Sequence, residues 1–252
     1  MRGKHTSCYV SIVLAFLLLV TESAALAMEV TKIKLSTMSV GPIELFSDNR
    51  GHAKLISVFG TVVITSDHHS FGYNDTNKSY IEYLSPEEFS KSKFVTFLNQ
   101  CHSPESYYKP WTKLDAYNKN GWPLTRFRRT FLEQQINKSP RVLSQYSEVV
   151  SSSNSLALPY EWVVPYVTAL GVPCPPNGFP LFYYAYVGTR TVQKRLELIS
   201  ITKEQVPGDF FSAPQGYKLA RDDVEVFLGG SNFSELFFKL HGKSTDFTKA
   251  NQ

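Results

Sequence analysis

Asp67-His68-His69 follows the apolar Val62-Val63-Ile64 and places three metal-ligand side chains in a row. Metal-assisted hydrolysis at such a strand end needs further carboxylates from separate segments. No Asp-x-Asp partner is present, so a polar turn is the expectation. Cys101 stands beside His102, but a thiolate and its base must face each other, and adjacent residues rarely do. Arg126, Arg128 and Arg129 place three cations in four positions. Such a set either receives a phosphate or carboxylate or forms a solvated face. HExxH, GxSxG, P-loop and dinucleotide patterns are all missing, and the dispersed carboxylates nominate no glycosidase pair. The chain is therefore read as non-catalytic, with no metal site and no cofactor. A hydrolase whose site is assembled in the middle of the chain is the remote alternative.

These residues must be positioned by a chain of 252 residues, 42% hydrophobic and 14% aromatic, which is long enough to bury a core without metals or cross-links. A charged fraction of 19% beside 14% aromatics argues against disorder, and a formal charge of only +4 gives no reason to expect nucleic-acid binding. The first 27 residues read as an export signal. Arg2, Lys4 and His5 form a basic start, an apolar run follows from Tyr9 to Val20, and Ala25-Leu26-Ala27 forms a signal-peptidase site. The apolar run is too short for a permanent membrane span, although an uncleaved anchor is the competing reading. Cleavage near Ala27 would leave an exported chain, secreted or periplasmic, that starts at Met28. Two cysteines then remain, Cys101 and Cys174, and in an oxidising compartment they form one disulfide or stay as two buried thiols. Four Asn-x-Ser/Thr sequons start at Asn74, Asn77, Asn137 and Asn232; they matter only in a glycosylating host.

The N-terminal third alternates in short extended runs: 30–40, 43–46, 53–59, 61–65, 71–73 and 79–84. Polar turns divide them, as in an antiparallel meander. Within 61–65, Val62 and Ile64 share one face, and Thr61, Val63 and Thr65 the other. Ser85-Pro86-Glu87-Glu88 is a capping box, and the spacing after it predicts one helix over 86–99. Phe89, Phe94, Phe97 and Leu98 form its aromatic face. Residues 101–124 read as irregular and aromatic, and Val172 to Gly178 as a loop. Strands return at 179–187 and 191–202, the first placing Phe182, Tyr184 and Tyr186 on one face. A short amphipathic helix is expected at 232–241.

Two stretches carry a resemblance. "GTVVITSDHHSFGYNDTNKSYIEYL", within 48–84, resembles the exported lipoprotein-carrier-like proteins, the LolA-type half-barrels and their uncharacterised branch. Tyr73, Lys78 and Tyr80 stand at that family's Tyr-turn-Lys-Tyr positions. "GFPLFYY" with "LELISITKEQVPGDFFSAPQGYKL" is similar to the ending of that branch, through Val206-Pro207, Phe210 or Phe211, and Pro214-Gln215-Gly216-Tyr217. Residues 100–175 and the chain past 220 lie outside the resemblance. It implies an α+β fold, a strongly curved antiparallel sheet (a half-barrel) covered by helices. The chain is thus divided into the signal at 1–27, a curved-sheet domain at 28–220 with an irregular middle insertion, and a tail at 221–252. Characterised relatives hold acyl chains on the concave face, so an apolar small molecule or lipid is the partner implied here. Val62, Ile64, Phe94, Phe97, Phe182, Tyr184 and Tyr186 are the candidates to line its site. The alternative is a secreted structural or protein-interaction module whose core is filled by its own helices. The oligomeric state is left open.

Overall fold

In a computed structural model of the chain, the described residues run from 27 to 229, apart from 68, 101–104, 120, 133–145, 153–155, 157, 177 and 188–190. Cys101, His68, two of the sequons (Asn137 and Asn232), the signal segment up to Leu26 and the expected helix at 232–241 all fall outside them.

Among the described residues twelve strands form one curved, unclosed sheet in the order β12-β6-β5-β4-β3-β2-β1-β11-β10-β9-β8-β7. The expected meander is present: β1 (Met28–Thr37), β2 (Gly41–Ser47), β3 (Ala53–Ser57), β4 (Gly60–Ile64), β5 (Ser70–Asn74) and β6 (Ser79–Tyr83) pair in chain order. The middle of the chain, expected to be irregular, contributes three more strands: β7 (Thr112–Lys119), β8 (Trp122–Thr130) and β9 (Tyr146–Ser152). A turn at Gly121, whose φ is +82, joins the first two, and the Gly121 N–H donates to Asn118 Oδ1 at 3.0 Å. β10 (Phe179–Val187) and the long β11 (Thr191–Val206) connect this half to β1. The two-residue β12 (Lys218–Leu219) runs parallel to its neighbour, β6.

Strand alternation gives the sheet two buried faces around β1–β5. Ile33, Leu35, Leu45, Leu55, Val62 and Ile64 belong to the main core, whereas Val30, Phe46, Val63, Phe71 and Tyr73 form a second cluster. The segment after β11 covers this second cluster. Phe210 meets Phe46 edge-on at 5.0 Å, Phe211 stacks on His52 at 5.3 Å, and Tyr217 meets Tyr73 at 5.7 Å. Asp48, almost fully buried, accepts hydrogen bonds from the Arg50 and His52 N–H groups and so fixes the turn that presents His52.

Among the described residues four helices close the main core. Ser85 caps α1 (Pro86–Ser90): its hydroxyl accepts from the Glu88 N–H at 3.1 Å, and the Glu88 carboxylate accepts from the Leu84 N–H at 2.7 Å. The single helix expected over 86–99 is broken after Ser90. Ser92 starts a second helix, α2 (Lys93–Gln100), its hydroxyl accepting from the Val95 N–H at 3.3 Å. Phe89, Phe94, Val95 and Leu98 are buried, and Phe97 is half-buried. α3 (Tyr160–Ala169) arises in the region read as irregular and inserts Trp162, Val163, Tyr166 and Val167. α4 (Asp223–Leu228) lies within the segment read as a tail; Asp222 caps it, and it buries Asp223, Val226, Phe227 and Leu228. The Asp223 carboxylate accepts from the Phe94 N–H at 2.9 Å, tying α4 to the start of α2.

Tyr166 is fully buried, its hydroxyl 2.7 Å from Ser57 Oγ. Burial pushes its phenol up to about 12, against a smaller opposing effect of the Ser57 hydrogen bond. Burial first, and the Asp223 charge second, hold Tyr83 higher still. Between about pH 10 and 12 the folded chain keeps these protons while unfolded tyrosines lose them, so stability is intact below about pH 10 and falls as pH rises. An alkaline titration read by phenolate absorbance should therefore show a late class of tyrosines that ionises together with unfolding. Complete ionisation of all 14 tyrosines near pH 10 in a chain that stays folded would contradict this.

Candidate functional site

The seven candidate lining residues separate into two groups. Val62, Ile64 and Phe94 are 1%, 1% and 0% exposed and are sealed into the protein's own core. Phe97 sits half-buried against that core. The face of the sheet on which a ligand was expected is taken up by α1, α2, α3 and α4. Phe89 contacts Trp162 and Tyr166 with ring centroids at 6.1 Å in each case, and Phe94 stacks on Phe227 at 4.4 Å.

Phe182, Tyr184 and Tyr186, by contrast, line one cleft of about 300 Å³ in the other half of the sheet. Their spacing along β10 puts them on one face, and the Phe182 and Tyr184 rings lie 6.3 Å apart with planes 5° from parallel. Two register shifts aim this row. The first, between Pro180 and Phe182, is against β9; the second, between Tyr183 and Tyr184, is against β11. Tyr117 and Lys119 of β7, Arg126 of β8 and Val150 of β9 complete the lining. Arg126 stands opposite Val150, which stands opposite Phe182, so cross-strand register alone brings these three side by side.

Both cations rest on rings. Lys119 Nζ is 5.0 Å from the centre of Phe182, and the Arg126 guanidinium carbon is 5.6 Å from that of Tyr117. Arg126 Nε also lies 3.6 Å from Asp115 Oδ1, both side chains being partly exposed. The three clustered arginines thus have separate roles. Arg126 enters the cleft and Arg128 is exposed, whereas Arg129, 4% exposed, lies 4.0 Å from Tyr108 and 4.4 Å from Trp111. Sequence reasoning misses Tyr117 and Lys119, because their strand reads as irregular. The Asn120-Gly121 dipeptide between two runs was the signal available for that hairpin.

Asp67 and His69 form a local turn, as expected. Their side chains are about two-thirds exposed and 3.6 Å apart, and the Thr65 hydroxyl donates to Asp67. That hydrogen bond is the main reason the Asp67 carboxyl is held below its usual range. A smaller depression of about 260 Å³ lies there, with Glu82 and Leu84 on its rim. Among the described residues no group of three or more His, Cys, Asp or Glu side chains could hold a metal ion. Cys174 is half-buried, with Sγ 3.7 Å from the Val172 carbonyl oxygen.

No family model matches the chain, and no curated protein does. Among solved structures, an uncharacterized conserved protein from Thermus thermophilus is 6% identical with a TM-score of 0.38, the match covering 82% of this chain and 98% of that one. The lipoprotein LppX of Mycobacterium tuberculosis is 10% identical with a TM-score of 0.27, covering 81% and 98%. Among the described residues no helix is long and apolar enough to cross a membrane.

Proposed function

We propose that the protein is an exported, non-catalytic binding protein that shelters an apolar ligand, an acyl chain or lipid-like molecule. Its site is the cleft between β7 and β10 rather than the helix-covered face of the sheet. The observation that carries this reading is the row of half-buried Phe182, Tyr184 and Tyr186 beside Tyr117, which lines an open cleft at the margin of the main core, with Phe182 and Tyr117 packed partly against that core. Its volume is at the small end for ligand sites, which suits a compact ligand or one end of a longer chain. Titration with a neutral apolar dye, N-phenyl-1-naphthylamine, tests it. Saturable binding should weaken about ten-fold in Phe182→Ala, equivalent to about 1.4 kcal/mol, with the melting transition lowered only modestly, as expected for a half-buried ring at the margin of the core. Non-saturable binding, or equal affinity in the variant, would remove the reading.

The self-filled interaction module is the second reading, favoured by the complete burial of Val62, Ile64 and Phe94. Export, in either reading, brings with it a bond between Cys101 and Cys174. A non-reducing peptide map should recover the two cysteines in one linked fragment. The bond would close a loop of about 73 residues, worth roughly 4 kcal/mol in the chain-entropy model. Two unlinked thiols in the exported protein would refute it.

A further inference from the structure

We propose that the cleft selects an anionic amphiphile: a compact apolar body carrying a carboxylate, phosphate or sulfonate held between Arg126 and Lys119. This rests on the binding reading above and adds the sign of the ligand's charge. Two cations border the same aromatic cleft, each over the face of one of its rings. A ring face attracts a cation through its quadrupole but carries no net charge, so neither ring neutralises Lys119 or Arg126. Among the described residues no carboxylate lies within ion-pair distance of Lys119. Asp115 Oδ1 lies 3.6 Å from Arg126 Nε in a partly exposed setting. Such a pair is weak, and the terminal nitrogens of the fork keep donors for an incoming oxyanion. A neutral ligand filling the cleft would strip water from both cations and return nothing to them. An anionic one replaces that water with charge-assisted hydrogen bonds. The aromatic row then holds the apolar body, with Val150 beneath it.

Two dyes that differ by one sulfonate decide the matter: 8-anilino-1-naphthalenesulfonate and the neutral N-phenyl-1-naphthylamine. The full chain should bind the anionic dye about ten-fold more tightly, and raising the salt concentration should narrow the gap. Replacing Arg126→Gln and Lys119→Gln together should erase the preference, weakening the anionic dye about ten-fold more than the neutral one. Arg126→Lys, which keeps the charge, should retain most of the preference. Equal affinity for both dyes, with Phe182→Ala weakening each, would overturn the charge inference and leave the binding reading standing. Saturable binding of neither dye would overturn both. A preference that survives the double substitution would place the selecting charge elsewhere and overturn the inference.

Discussion

Phe94→Ala is expected to cost about 3–5 kcal/mol, a large share of the roughly 5–15 kcal/mol that holds a typical domain together. Phe94 is 0% exposed and sits where three elements meet. Its ring is 5.5 Å from Phe59 of the β3–β4 turn, 6.5 Å from Tyr166 of α3 and 4.4 Å from Phe227 of α4. Truncation there opens a cavity that none of the three can fill without leaving its own seat. Phe97→Ala, three residues on but half-buried, should cost about 1–2 kcal/mol by the same reasoning about buried apolar surface. Urea unfolding of the two variants checks the contrast. A loss below about 0.5 kcal/mol for Phe94→Ala would put it among surface substitutions and break the account of the core.

Gly72→Ala is expected to destabilise by about 2–3 kcal/mol, and Phe227→Ala in the same chain should remove most of that penalty. A Cβ at residue 72 would lie 2.3 Å from Phe227 Cζ, so the methyl and the ring compete for one space. The ring cannot swing aside, being 3% exposed and stacked on Phe94. Phe227→Ala alone should cost about 3–5 kcal/mol. The double variant should be no worse than that single one, a strong departure from additivity. Additive losses in the unfolding free energies would mean that α4 does not sit over β5. Gly60 belongs to the same niche: its φ is +139, and an added Cβ would lie 2.6 Å from the Tyr73 carbonyl oxygen.

The parts of this architecture that are legible in the sequence rest on local rules. The alternation of Thr61 to Ile64 assigns Val62 and Val63 to opposite faces correctly, and Ser85 with Glu88 marks a helix start. The break at Ser92 is missed because the apolar spacing runs through it, while the competing serine cap is a weaker signal. α3 is missed because Pro159 and Pro165 flank and interrupt it. Its stability comes from burying Trp162 and Tyr166 rather than from helix propensity. α4 has a legible start, with Asp222 accepting from the Glu225 N–H and the Glu225 carboxylate from the Arg221 N–H. The more regular stripe at 232–241 draws attention away from it. For the candidate site, the Phe182-Tyr184-Tyr186 row is legible from period two, but its neighbours are not. Tyr117, Lys119 and Arg126 join it through cross-strand register, a long-range property that one strand's pattern does not contain. Val62, Ile64 and Phe94 are nominated because an apolar concave face looks alike in sequence whether a ligand or a helix fills it.

Solvent extraction of the protein purified from its native host, followed by mass spectrometry, tests the binding cleft most directly. Wild-type protein should yield an apolar molecule in near-equimolar amount. A Phe182→Ala/Tyr184→Ala variant that melts with the wild type should retain about ten-fold less of it, the loss expected from removing about 1.4 kcal/mol of binding energy. Wild-type protein that yields no such molecule, or a variant that retains it fully, would contradict a ligand held between β7 and β10.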